Sequence, residues 1–297
     1  MEIIVFGSGP VAAKSLELLA RNFKIEAVVT KPKPAYHRGS FPVLDTAKAL
    51  KLPTHTVSNK AELSKLLGTK PFHSKLGVLI DFGIIVTQDV IDYFGLGIVN
   101  SHFSLLPEWR GADPITFAIL SGQAKTGVSL MLIDAGMDTG KILTQKSLPI
   151  SPLATTETLT QELINLSDSL LIKYLPKYVD GSLQPRQQPH PDRATYSRKL
   201  TKSDGTIDWN KPAQQIEREI RSYVSWPKST TILAGKEVII TEARLVEGES
   251  QPGKVELRDK NLVVYTAAKA LCIEKLKPSG KAEMSAQAFL AGYGNLL

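Results

Sequence analysis

The chain has 297 residues, 42% of them hydrophobic and 22% charged, which is the composition of an ordinary globular protein with one or two domains. No apolar run approaches the roughly 20 residues that span a bilayer, and the N-terminus lacks the basic region and cleavage site of a signal peptide. The single cysteine, Cys272, excludes an intrachain disulfide and a cysteine-based metal site. These features predict a cytoplasmic protein that does not associate with membranes.

The net charge of +7 is distributed unevenly along the chain. Residues 1–185 carry 18 basic and 16 acidic side chains, a net charge of +2, whereas residues 186–297 carry 18 and 13, a net charge of +5. This basic excess in the shorter part indicates a polyanionic partner, although a basic domain can also simply favour solubility.

The first predicted elements are a strand over residues 2–7 and a helix that continues to Ala20, joined by Gly7–Ala12, which fits G-x-G-x-x-A. This pattern is typical of dinucleotide-binding proteins, and also of a tight turn that packs a helix on a strand. The second strand, over residues 25–30, ends in Thr30-Lys31 and not in the acidic residue that would bind the ribose of NAD. Because Lys31 could suit a 2′-phosphate, an NADP-dependent oxidoreductase is one alternative.

Residues 31–40 form a Pro-rich basic segment without apolar periodicity, which predicts a solvated loop. The elements expected next are a helix over 43–50, a strand over 53–57, a helix over 60–67 and a buried strand over 77–81.

The segment from Val99 to Gly111 carries the first chemical signal, since a predicted strand delivers Asn100 and His102 at its carboxyl end. Residues i and i+2 of a strand lie on the same side, so both polar groups should face one crevice at the edge where open α/β sheets bind ligands. Taken singly, a histidine beside an apolar run is more often structural, and asparagine is a common turn former.

A second strand and loop, from Gly127 to Gly140, supplies two carboxylates, Asp134 and Asp138. An aspartate in a glycine-rich loop usually makes a turn. Two loops of one sheet that provide an amide, an imidazole and a carboxylate nevertheless indicate a catalytic site.

The remaining elements predict two domains. Helices over 114–120 and 155–179 complete an alternation of strands and helices, which indicates an α/β fold with a doubly wound, mainly parallel sheet in residues 1–180. The start of the next segment is rich in Pro, Gln and Ser, and we interpret 181–202 as a linker. A helix over 213–223 and short, regularly spaced strands predict a small barrel in residues 203–297. The strands are expected at 230–233, 238–243, 262–265 and 270–276.

The pattern N-x-H-x-S-L-L-P, followed by D-x-G-x-D-T-G, resembles the folate-dependent formyltransferase family. The string LLPEWRGADPI and the C-terminal blocks TYSRKLTKSDGTIDWNKPAQQIEREIRSYVSWP and LKPSGKAEMSAQAFLAG are similar to the methionyl-tRNA branch of that family. The resemblance covers nearly the whole chain and implies a Rossmann-like catalytic domain followed by an OB-like domain that binds tRNA.

The resemblance implies transfer of a formyl group from the cosubstrate 10-formyltetrahydrofolate to the α-amino group of methionyl initiator tRNA, a step of translation initiation. The enzyme is expected to be a monomer and to need no metal. Asn100 and His102 would donate to the developing oxyanion, and Asp138 would orient the imidazole and accept a proton through water. The folate pocket would be formed by Ser104, Leu105, Leu106, Pro107, Phe82, Gly83 and Ile84, and the tRNA would be contacted by Lys31, Lys33 and Arg38.

The sequence departs from this family at two places. The basic loop is short, with Ser40 and Phe41 where lysines usually follow the Arg-Gly pair, and Asp81 is unusual before Phe82-Gly83. A sugar-nucleotide formyltransferase and a non-catalytic RNA-binding relative are the alternatives within the resemblance. The intact set of Asn100, His102 and Asp138 disfavours the non-catalytic one.

Overall fold

The computed structural model of this chain describes residues 1–36 and 38–296. Within these residues the strands are β1 Glu2–Phe6, β2 Lys24–Thr30, β3 Thr54–Thr56, β4 Gly77–Leu79, β5 Ile98–His102, β6 Arg110–Gly111, β7 Lys125–Leu132, β8 Ile142–Pro149, β9 Tyr196–Ser197, β10 Ser229–Leu233, β11 Lys236–Val246, β12 Val255–Arg258, β13 Asn261–Tyr265, β14 Ala270–Pro278 and β15 Met284–Ser285. The α-helices are α1 Pro10–Leu19, α2 Pro42–Ala49, α3 Lys60–Thr69, α4 Gln88–Tyr93, α5 Pro114–Ser121, α6 Thr156–Val179, α7 Ala213–Ser222 and α8 Ala286–Tyr293.

A seven-stranded sheet with the order β3-β2-β1-β4-β5-β7-β8 forms the frame of the N-terminal part. The strands from β3 to β5 are parallel, whereas β7 runs antiparallel to β5 and β8 antiparallel to β7. The central strand β1 is buried over residues 3–6, as expected of a strand covered by helices on both faces. Three aromatic rings pack edge to face in the core beside it, with Phe6 5.6 Å from Phe82 and 5.8 Å from Phe94.

A second, antiparallel sheet has the order β10-β11-β14-β13-β12, with β15 paired to β14. One face of this sheet packs on α7 and α8, and the core contains Ile216 and Ile220 from α7 and Phe289 from α8. The Ser285 hydroxyl accepts the Ala288 N–H and caps α8. The predicted fold class, a mainly parallel α/β sheet followed by a small β domain, is therefore confirmed.

Five strands were not predicted from the sequence: the two-residue strands β6, β9 and β15, and the longer strands β8 and β12. Both β8 and β12 are edge strands in their sheets, and each buries little of its length. An edge strand with one accessible side lacks the continuous apolar run or clean alternation that identifies a buried strand.

The described contacts divide the chain into two compact units. One unit comprises Met1–Pro114, Lys125–Pro149 and Thr160–Ser197, and the other comprises Ile115–Ala124, Ile150–Leu159 and Arg198–Leu297. The first unit thus includes most of the segment predicted as a linker. Within it, β9 pairs in parallel with β6. None of the helices in the described part of the chain is long and apolar enough to cross a membrane.

Candidate active site

The structure brings Asn100, His102 and Asp138 together at the carboxyl edge of the parallel strands. Asn100 and His102 lie on β5 and are only 9% and 6% exposed. The Asn100 nitrogen Nδ2 lies 3.5 Å from Asp138 Oδ1. The His102 nitrogen Nδ1 lies 3.7 Å from the same oxygen. The amide, the imidazole and the carboxylate therefore meet at one edge of the sheet, although the sequence separates Asn100 from Asp138 by 38 positions.

A main-chain hydrogen bond determines which nitrogen of His102 carries a proton. The His102 Nε2 atom lies 2.9 Å from the carbonyl oxygen of Trp109. Because a carbonyl oxygen accepts and cannot donate, Nε2–H is the donor. The Nδ1 atom is then the nitrogen beside Asp138, and it carries a hydrogen only when the imidazole is protonated. Trp109, which provides this carbonyl, has a φ of +54°, an uncommon conformation for a bulky residue. Its own N–H donates to Thr195 Oγ1 at 2.9 Å.

The loop that carries Asp138 is held by the main chain on both sides. The Gly111 N–H donates to Asp138 Oδ2 at 2.8 Å, so this carboxylate has an oriented second oxygen. A Cβ atom at Gly111 would overlap the Ser197 carbonyl oxygen, and a Cβ at Gly140 would overlap that of Leu132. Glycine is required at both positions because backbone passes directly over each of them.

A buried glutamine from the segment predicted as a linker fixes the same loop. Gln188 is 6% exposed, and its Nε2 donates to the carbonyl oxygens of Asp138 at 2.7 Å and Gly140 at 3.0 Å. Its Oε1 accepts from Arg110 Nη2 at 2.7 Å. This role was not predictable from the sequence, since Gln188 lies in a polar stretch without apolar periodicity. We interpret Gln188 as a positioning residue for Asp138.

Gln188→Ala is expected to lower kcat by about 10- to 100-fold, because the loop of Asp138 would lose both hydrogen bonds from the Gln188 amide and a displacement near 1 Å can cost that much. The matched control is Gln187→Ala, which removes an exposed neighbour of the same type. Steady-state rates and melting temperatures of both variants test the assignment. Equal rates in the two variants would show that Gln188 does not position the loop.

Asp134 has a different environment in the same loop. Its Oδ1 atom accepts from the Gly136 N–H at 3.1 Å and from the Thr139 hydroxyl at 2.7 Å. These are bonds within its own turn, and the residue is exposed. The geometry thus separates a turn-forming aspartate from Asp138, which faces the imidazole.

Comparison with known proteins identifies the family of this chain. The sequence profile of the formyl transferase family matches residues 1–175, and that of the formyl transferase C-terminal domain matches residues 199–294. A methionyl-tRNA formyltransferase of Roseiflexus sp. (strain RS-1) is 37% identical over 298 residues, covering 96% of this chain and 90% of that protein. The chain belongs to the methionyl-tRNA formyltransferase family.

Two solved structures have the fold of this family. An N-formyltransferase from Helicobacter canadensis, in complex with folinic acid and dTDP-3-aminofucose, has a TM-score of 0.69 at 19% identity and covers 91% of this chain and 97% of its own. HypX from Aquifex aeolicus, in complex with tetrahydrofolic acid, has a TM-score of 0.63 at 17% identity. That match covers 98% of this chain and 47% of HypX. At such identities the likeness concerns the fold.

The predicted folate wall, which the family resemblance assigns to Ser104–Pro107, is mostly a rigid buried turn. The Ser104 hydroxyl donates to the Glu108 carbonyl oxygen at 2.5 Å, so it is already paired. Leu106 is buried and its N–H donates to Ser129 Oγ at 3.0 Å, while Pro107 is also buried. Leu105 is the member with an accessible side chain. The assignment of this turn to folate stays a prediction.

The other predicted folate residues, Phe82, Gly83 and Ile84, follow β4. The Phe82 ring is buried in the core, so it has no free surface for a ligand, whereas Gly83 is exposed with a φ of +65°. The Lys31 ammonium lies beside Gly83, where a Cβ atom would be 2.9 Å from it. Ile84 is partly exposed and packs against the same core as Phe82. The assignment of this segment to folate stays a prediction.

The residues predicted to contact tRNA have different surroundings. Lys31 turns toward Gly83, and the Lys33 ammonium donates to the Gly39 carbonyl oxygen at 2.7 Å within its own loop. Arg38 is exposed. Their tRNA contacts stay a prediction.

The glycine-rich corner after β1 has the geometry of a packing turn. The Ala12 side chain lies directly against Gly7, where a Cβ atom would be 2.5 Å away. A Cβ atom at Gly9 would overlap the carboxylate of Asp81. A negative side chain thus lies at the N-terminus of α1, where a dinucleotide would need to place its pyrophosphate. This position disfavours the oxidoreductase alternative.

Proposed function

We propose that this chain transfers the formyl group of 10-formyltetrahydrofolate to the α-amino group of methionine esterified to initiator tRNA, as a cytoplasmic enzyme of translation initiation. The observation that carries the proposal is the convergence of Asn100, His102 and Asp138 within 3.7 Å at one edge of the sheet. The chain belongs to the methionyl-tRNA formyltransferase family, and this membership is the reason to propose methionyl-tRNA as the acceptor and 10-formyltetrahydrofolate as the donor.

The three side chains match what an amine needs when it attacks a formyl carbon. The formyl oxygen becomes an oxyanion, which Asn100 can stabilise through its Nδ2–H donors. The attacking nitrogen must lose a proton, which Asp138 can accept through water. The bond between the formyl carbon and N10 then breaks, and N10 takes up a proton as tetrahydrofolate leaves. His102 donates Nε2–H to Trp109, so its Nδ1 exchanges a proton on the side of Asp138. Gly111 orients the carboxylate for this exchange.

The charge distribution supports a polyanionic acceptor. The net charge of +5 on residues 186–297 exceeds the +2 on the longer N-terminal part. Neutralising phosphates with basic side chains provides affinity that does not depend on base sequence. The C-terminal part is therefore proposed to supply most of the phosphate contacts to the tRNA.

Formylation of charged initiator tRNA with 10-formyltetrahydrofolate tests the proposed function directly. We expect the wild type to produce formylmethionyl-tRNA, whereas Asn100→Ala purified in parallel should produce little. Absence of product in the wild type, together with transfer to an amino-sugar nucleotide, would favour the sugar-nucleotide alternative. Stabilisation by NADP would favour the oxidoreductase, since a ligand at about 100 times its Kd adds roughly 2.7 kcal/mol.

A further inference from the structure

A cavity of about 360 Å³ lies in the second compact unit of the chain, and the mechanism above does not use it. Its volume is within the range of about 300 to 1,000 Å³ that is usual for small-molecule sites. It is lined by residues of β10, β11 and β14, by the C-terminal end of α7, and by the segment that connects α7 to β10. We call it the C-terminal cavity.

Part of the lining of the C-terminal cavity is apolar. Ile220 of α7 and Ile240 of β11 are buried core residues, and Val224 and Ile239 are partly buried. Burial of apolar surface is favourable, so these side chains favour a ligand that has an apolar or aromatic part.

Two hydroxyl groups that line the C-terminal cavity are buried without a hydrogen-bond partner. Ser229, the first residue of β10, is only 3% exposed, and neither its Oγ atom nor Oγ1 of Thr241 has a partner among residues 1–36 and 38–296. Thr241 lies where the register of β11 and β14 shifts between Ile240 and Glu242, which makes it the extra residue of a β-bulge. A buried hydroxyl without a partner costs free energy, so both groups favour a ligand that brings hydrogen-bonding atoms.

Two lysines add positive charge to the same lining. The backbone of Lys228 is fixed in a left-handed conformation, with a φ of +74° and its N–H donating to the Tyr223 carbonyl oxygen at 3.0 Å. Lys277 lies on β14 and pairs with Ile239 of β11. Neither ammonium group has a hydrogen-bond or ion-pair partner in the described part of the chain. Unpaired ammonium groups beside unpaired hydroxyls favour an anion with several acceptor oxygens, and phosphate is such an anion.

Two carboxylates also line the C-terminal cavity, Glu157 and Glu283. Glu157 Oε1 accepts from the Ser225 hydroxyl at 2.5 Å, and Glu283 lies close enough to Lys275 to interact with its charge. Neither carboxylate is ion-paired with the two lysines of the lining. A carboxylate oxygen can accept from a sugar hydroxyl, as acidic residues do for the ribose in nucleotide sites.

We propose that the C-terminal cavity binds one ribonucleotide unit of the acceptor RNA. The phosphate lies at Lys228 and Lys277, a ribose hydroxyl donates to one of the two carboxylates, and the base packs on the isoleucines. A ribonucleotide is the class of ligand that joins an anion, a hydroxylated sugar and a flat apolar ring in one molecule. This inference rests on the proposed function, which provides the RNA.

Removal of either lysine charge should weaken RNA binding. We expect Lys228→Met and Lys277→Met each to raise the Kd for uncharged initiator tRNA about 10- to 100-fold, the range for loss of one charged hydrogen bond. The double variant should reduce the slope of log affinity against log salt concentration by about 0.7 to 0.9, the contribution of one phosphate. The matched control is Lys236→Met, which removes an exposed lysine at the opposite end of the β10–β11 pairing from Ser229. It should change the Kd less than about twofold.

The hydroxyl groups provide a readout that separates ligand binding from a structural role. Ser229→Ala and Thr241→Val remove hydroxyls that the protein leaves unpaired, so the melting temperature should stay the same or rise, whereas the Kd for tRNA should rise about 3- to 10-fold. AMP should bind to the wild type and should lose affinity in the lysine and hydroxyl variants but not in Lys236→Met. The 2′-deoxy form of AMP should bind more weakly than AMP, because a sugar hydroxyl is missing.

The outcomes distinguish this inference from the function on which it rests. If the wild type formylates methionyl-tRNA but the variants of the C-terminal cavity bind tRNA and AMP as tightly as Lys236→Met, the inference is overturned and the proposed function stands. Weaker binding of AMP with unchanged affinity for tRNA would mean that the cavity takes a free nucleotide, which also overturns the inference. If the wild type binds uncharged tRNA but formylates no charged tRNA, the proposed function fails, and the affinities of the variants for tRNA still decide the inference.

Discussion

Asn100→Ala is expected to lower kcat by about 100- to 1,000-fold while the protein stays folded, since this is the usual cost of one missing oxyanion donor. Within residues 1–36 and 38–296 the Asn100 side chain makes one long hydrogen bond, at 3.5 Å to Asp138, so its loss removes little hydrogen bonding from the fold. We expect His102→Ala to lower kcat by a similar factor for a different reason, because Asp138 would lose the imidazole with which it exchanges a proton. Rates at saturating substrate and circular dichroism on the same preparations provide the measurement.

The same strand offers a matched control. Ser101 lies between Asn100 and His102 on β5 but faces the other side of the sheet, where its hydroxyl pairs with Ser167 at 2.6 Å. Ser101→Ala should lower the free energy of unfolding by about 1 kcal/mol, because the buried Ser167 hydroxyl loses its partner. Its kcat should be that of the wild type. A variant of Asn100 that retains nearly full activity would remove this residue from the mechanism.

Asp138→Asn should depress kcat far more than Asp134→Asn, although both aspartates lie in the loop between β7 and β8. The Asp138 carboxylate faces His102 Nδ1 and accepts from Gly111, and loss of a general acid or base typically costs about 100- to 10,000-fold. Asp134 pairs with Thr139 in its own turn. Turnover, KM and melting temperature should be measured for both variants. Comparable losses in kcat would show that the two roles are wrongly assigned.

Strong periodicity made several elements predictable. The regular leucine spacing predicted a helix over 155–179, and α6 is Thr156–Val179. The alternation of strands and helices predicted the sheet, and the i, i+2 spacing placed Asn100 and His102 on one face of β5. In each case the spacing of residues within a short stretch fits only one type of secondary structure, so that stretch alone was sufficient to predict the element.

The contacts that complete the site were not predictable in this way. The Trp109 carbonyl and the Gly111 N–H act through backbone atoms, which every residue type has. Gln188 and Asp81 meet their partners only after distant segments fold together. The sequence showed that Asp81 was unusual, but its contact with Gly9 depends on how closely β4 and the first loop approach.

The pairing of β9 with β6, and the hydrogen bonds of Gln188 and Thr195, limit where this chain can be divided. A cut after α6 would leave a sheet that still contains Asn100, His102 and Asp138 but has lost the groups that hold their loops. Exchange of C-terminal domains between relatives, whether by recombination or by design, would keep the site intact only at a junction beyond Ser197. The match to the family's C-terminal domain begins at residue 199, just beyond this junction.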